Sequence, residues 1–105
     1  MIISWYHGSI GRVEAERLLE NQPVGSYLVR VSESNSKDYS LSLKNQSGYL
    51  HIKIVHQPAD GFILGQFSQP FDSISSMIGF YKSNKLPIRG NENLKLLRPM
   101  IVEVL

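Results

Sequence analysis

Between residues 26 and 55 the chain alternates its side chains three times in succession, and this constrains the fold more than anything else in its 105 residues. In residues 26–32, Tyr27, Val29 and Val31 alternate with Leu28 and Arg30. Tyr39, Leu41 and Leu43 then alternate with Ser40, Ser42 and Lys44, and Leu50, Ile52 and Ile54 with His51, Lys53 and Val55. A period of two is the signature of a strand with two unlike faces. The polar run 33–38 and the Ser47-Gly48 pair separate the three segments, which predicts an antiparallel meander.

Two segments of helical period flank it. In residues 11–20, Ala15, Leu18 and Leu19 share one face, while Glu14, Glu16, Arg17 and Glu20 are expected to face water. Pro23 and Gly25 end that helix. Downstream, Phe62 to Leu64 predicts a short strand and 65–70 a loop. Ser73 then fits an N-cap for a helix whose Ile74, Met77, Ile78 and Tyr81 form a buried stripe. Residues 83–93 read as a loop and 94–97 as a final extended segment. This order is neither βαβ alternation nor a bundle. The expected class is α+β, a central antiparallel sheet flanked by two α-helices.

The length suits one domain. The absence of cysteine excludes a disulfide framework, a zinc ribbon and a thiolate nucleophile. His7, His51 and His56 offer no helical pair of metal ligands, so no metal or other cofactor is expected. No apolar run is long enough to span a bilayer, and the first five residues do not resemble a signal peptide. A formal charge of +2 is too slight for a general nucleic-acid binder. Ser, His and Asp are all present, but no nucleophile elbow or Walker loop accompanies them, so catalysis is not expected.

Arg30 is the informative residue. A guanidinium keeps its charge, and burying it without an anion is costly. From its position in an apolar strand, three readings are open: a solvated strand face, an ion pair with Glu33, Asp38 or Asp60, or an external oxyanion. Ion pairs are the commoner case. Ser32 shares the face of Arg30, and Ser34, Asn35 and Ser36 follow in a loop whose hydroxyls and N–H groups suit phosphate oxygens. Ser40, Ser42, His51 and Lys53 add donors if strand register sets them beside Arg30, although taken singly each serine fits an ordinary polar sheet face.

Taken together, Trp5-Tyr6-His7-Gly8, Ala15-Glu16, Leu18-Leu19 and Gly25-Ser26-Tyr27-Leu28-Val29-Arg30 resemble the Src homology 2 (SH2) signature. Ser32-Glu33-Ser34, Tyr39 to Leu43, His51 to Ile54 and the helix from Ser73 continue the resemblance in family order. It covers residues 5–99, with 1–4 and 100–105 as flanks. Ile63-Leu64-Gly65-Gln66, Pro70-Phe71 and Lys85 to Gly90 look most like the Shb-type adaptors.

The resemblance implies a non-catalytic phosphotyrosine-binding module, an adaptor in tyrosine-kinase signalling. Its partners would be tyrosine-phosphorylated proteins, with no nucleic acid and no membrane, and the module would be monomeric and cytoplasmic. Arg30 matches the family's phosphate-binding arginine, and Arg12 the position that contacts phosphate and ring. Ser32, Ser34 and Asn35 match the phosphate loop, and His51 and Lys53 flank the ring. Ile52, Gln66, Phe67, Leu86 and Ile88 would frame a second pocket for an apolar residue about three positions beyond the phosphotyrosine.

Overall fold

A computed structural model describes residues 5–66, 68–90 and 93–101. The elements follow in the order α1 (Arg12–Leu19), β1 (Ser26–Val31), β2 (Tyr39–Asn45), β3 (Gly48–Gln57), β4 (Gly61–Leu64), α2 (Ile74–Ser83) and β5 (Arg98–Pro99). The meander forms as the alternation predicts: β1, β2, β3 and β4 pair antiparallel in sequence, and the five-stranded sheet runs β4-β3-β2-β1-β5.

Strand alternation divides the core in two. Tyr27 and Val29 of β1, Leu41 and Leu43 of β2, Ile54 of β3 and Leu64 of β4 pack with Met77, Ile78 and Tyr81 of α2. Leu28 turns the other way and packs with Ala15 and Leu19 of α1, with half-buried Leu18 and Met100 at the margin. Ser73 caps α2, its side chain accepting a hydrogen bond from the Ser76 N–H at 3.0 Å. No helix among the described residues is long and apolar enough to cross a membrane.

The sheet is mixed, not purely antiparallel. β5 pairs parallel with β1 through Ser26↔Arg98 and Tyr27↔Pro99. The last strand also falls later than residues 94–97. Leu96 points into the core, 1% exposed, and its N–H donates to the Tyr81 carbonyl, which holds that stretch against α2. Only at Leu97 and Arg98 do the N–H groups reach the Gly25 carbonyl. The Met100 N–H then donates to Tyr27 O at 2.8 Å.

The same edge of β1 is covered further along by residues 5–8. Val29 N–H donates to Trp5 O, His7 N–H to Val29 O, and Val31 N–H to Gly8 O. At the opposite edge, Phe62 and Phe71 exchange two backbone hydrogen bonds of 2.8 Å. Gly61 lies in this crossing with φ +106°, and any Cβ there would collide with the Phe71 carbonyl oxygen. Gly61→Ala is therefore expected to lower stability by about 1–3 kcal/mol, read as a reduced urea midpoint; an unchanged midpoint would contradict the crowding.

Candidate functional site

Strand register brings the polar alternates onto one face. Arg30 lies opposite Ser40, which lies opposite Lys53. One step along, Leu28, Ser42 and His51 form the adjacent row. Directly opposed residues share a face of the sheet, and Leu28 packs against α1, so this polar strip lies beneath α1.

The Arg30 side chain is 3% exposed. Its Nε–H donates to Ser42 Oγ at 3.0 Å, and Nη2 lies 3.3 Å from His51 Nδ1. His51 Nε2 lies 2.7 Å from the Glu16 carboxylate, which only accepts, so this nitrogen carries the ring proton. Nδ1 of the neutral ring is then an acceptor, for Arg30 Nη2 and for the Ser42 hydroxyl 2.9 Å away. Arg30 to Ser42 to His51 to Glu16 is thus one chain of donors and acceptors with a fixed polarity.

Charge and burial are consistent with that assignment. Burial pushes the His51 ring below its ordinary range, against the raising effect of the Glu16 hydrogen bond, while the Arg12 and Arg30 charges also push it down. Glu16 is held below the usual carboxylate range chiefly by its hydrogen bond to His51, with burial opposing. Burial lowers the pKa of Arg30, and Glu33 is the first of the charges that support its cationic form.

Of the three acids within reach by sequence, the fold selects Glu33, whose Oε1 stands 3.8 Å from Arg30 Nη1. Asp38 instead pairs with Lys53 at 3.6 Å and accepts the His56 N–H. Asp60 lies in the β3–β4 turn. Two of the five guanidinium N–H groups therefore meet acceptors within hydrogen-bond distance, and the other three have none among the described residues.

The loop after β1 closes on itself. Ser32 N–H donates to Asp38 O, and Asp38 N–H to Asn35 O. Ser32 and Ser34 hydroxyls lie 3.1 Å apart just after the end of β1, Ser32 buried and Ser34 exposed. Asn35 Oδ1 accepts the Lys37 N–H at 3.0 Å, so its side chain shapes the loop. Arg12 is 64% exposed on α1, 3.6 Å from Glu16, and Lys53 is exposed on β3.

Glu16 corrects an expectation. It does not simply face water but reaches across to His51 on β3. A helical wheel gives its direction without showing what stands opposite, and only the i, i+4 spacing from Arg12 hinted at a shared role.

The second group of candidates lies elsewhere. Ile52 projects to the α2 side, half-buried against the main core, and its Cγ2 would be 3.7 Å from a Cβ at Gly65. Gly65 N–H donates to Lys53 O, which fixes the loop carrying exposed Gln66. Leu86 is 1% exposed and inside the core, whereas Ile88 is half-buried at its margin. Phe67 lies outside the described residues.

A family model for the SH2 domain matches residues 5–81. The chain belongs to the SH2 family. The SH2 chain is 46% identical over 101 residues to human SH2 domain-containing adapter protein B, covering 96% of this chain and 20% of that protein. It is 43% identical over 99 residues to human SH2 domain-containing adapter protein D, covering 94% and 29%. The chain thus spans under a third of the length of these curated relatives. Its fold matches the solution NMR structure of the SH2 domain of a Monosiga brevicollis CRK/CRKL homolog with a TM-score of 0.82 at 28% identity, over 97% of this chain and 90% of that one.

The SH2 chain should lose stability on acidification in two stages. His51 has a depressed folded-state pKa, so below its ordinary value of 6.5 the unfolded chain takes up a proton that the folded one resists. Glu16, also depressed, contributes stability above its ordinary 4.5 that is lost as pH falls through its folded value. Urea midpoints should fall from about pH 7 to about pH 5, and His51→Gln should flatten that stage.

Proposed function

We propose that the chain is a non-catalytic phosphotyrosine-peptide binding module in which Arg30 grips the phosphate. The observation that carries this is a guanidinium buried on the sheet with two N–H groups fastened to Ser42 and His51 and three left over. A phosphate of nearly two negative charges supplies several acceptors, and the planar fork of arginine meets two of its oxygens at once. Ser32 and Ser34 add hydroxyl donors from the loop, with Asn35 holding the loop's shape.

Arg12 and Lys53 are the arms that would lie along the tyrosine ring, while His51 supports Arg30 through its Nδ1. Because the guanidinium is recessed, a phosphate on the short side chain of serine or threonine does not reach it. On the α2 side, Ile52, Gln66, Phe67 and Ile88, backed by Leu86, would take an apolar residue about three positions after the phosphotyrosine. The module would act as a monomeric adaptor unit in cytoplasmic tyrosine-kinase signalling, within a longer protein that docks on tyrosine-phosphorylated partners.

Arg30→Ala is expected to weaken phosphopeptide binding by about 2–5 kcal/mol with the fold retained. Arg30→Lys should also bind poorly, since a point charge does not replace the fork. Calorimetry with tyrosine-phosphorylated, serine-phosphorylated and unmodified versions of one peptide tests this, and near-normal affinity in a folded Arg30→Ala protein overturns it. Ile52→Ala should cost about 1 kcal/mol for a peptide with a leucine three positions on, and nothing for one with alanine there, measured by the same titration.

A further inference from the structure

The Glu33 carboxylate stands between the first turn of α1 and Arg30. Its Oε1 accepts the backbone N–H of Arg12, the first residue of α1, at 2.6 Å and stands 3.8 Å from Arg30 Nη1. Gly11, at the N-cap, contributes no side-chain cap of its own, so Glu33 serves the first turn of α1 from 21 residues away. Gly11 also leaves room for it, because a Cβ there would lie 3.3 Å from Glu33 Oε2.

The two contacts differ in kind. The Arg12 contact is a hydrogen bond, whereas the Arg30 contact is too long for one and leaves the Nη1 protons free. A phosphate oxygen at hydrogen-bond distance from Nη1 would come close to Oε1, setting two negatively charged oxygens beside one guanidinium nitrogen. Of the two anions, the carboxylate is the one that yields readily: its side chain is 61% exposed, and rotation carries it into water. The other acids nearby are tied elsewhere, Glu16 to His51 and Arg12 and Asp38 to Lys53 and the His56 N–H.

We propose that Glu33 is an internal counter-anion that neutralises Arg30 in the free protein and is displaced by the ligand's phosphate, holding affinity below what the donors alone would give. This rests on the reading of Arg30 as the phosphate holder. It assigns the family-motif acid between Ser32 and Ser34 an affinity-setting role.

Glu33→Gln separates charge from capping, since the amide oxygen still accepts the Arg12 N–H. Calorimetry with a tyrosine-phosphorylated peptide is expected to show about three- to tenfold tighter binding than the parent, the gain shrinking at about 0.5 M salt as the repulsion is screened. Glu33→Ala loses the cap as well and should melt at lower temperature. In the parent, the Arg12 amide proton, followed by NMR, should shift on adding peptide toward its position in peptide-free Glu33→Ala. Parent binding with equal or weaker affinity in a folded Glu33→Gln variant overturns this inference alone. Failure of the parent to bind any phosphotyrosine peptide overturns the reading of the site and this inference with it.

Discussion

Everything in this domain is arranged around a positive charge that cannot be given up. Arg30 lies on the strand directly after Tyr27, Leu28 and Val29, which are all fully buried. Little water reaches a guanidinium that is 3% exposed, so acceptors for it must be fixed in advance. Ser42 and His51 do this, and the sheet register fixes them: a slip of one residue would turn their side chains to the α2 face and leave Arg30 against apolar groups. The buried charge therefore reinforces the pairing that the apolar pattern already specifies.

The two sides of the sheet carry different chemistry because each strand alternates. The α2 side holds the larger core and is apolar nearly throughout. The α1 side holds a small core of Ala15, Leu19 and Leu28 at one end and the polar strip at the other. His51 and Ile52, neighbours in sequence, thus stand on opposite sides of one strand, one supporting Arg30 and the other packed against the main core.

The meander, both helices and the Ser73 cap were legible in the sequence because each rests on local periodicity or on a residue with one evident use. The β5 strand was not. It is two residues long and arises where Leu96 is held by Tyr81 and the Gly25 carbonyl takes the next N–H groups, a tertiary circumstance that no window of sequence contains. That Arg30, Ser40, Ser42, His51 and Lys53 share one face was legible from strand alternation, but the order of contacts among them was not. Which acid meets Arg30 depends on how the 33–38 loop closes, and the use of Glu16 depends on the distance between α1 and β3. Leu86 was read as lining a pocket, whereas its alternation with exposed Lys85 and Pro87 buries it.

The outer edge of β1 is shared between Trp5–Gly8 and the segment ending in Met100, and His7 Nε2 lies 2.7 Å from the Met100 carbonyl oxygen. Both segments are fastened to the very strand that carries Arg30. In a longer protein, mechanical tension arriving from either neighbouring stretch is borne first by hydrogen bonds to β1. The strand that carries Arg30 is also where both segments are fastened, so a pull strong enough to peel that edge acts directly on β1.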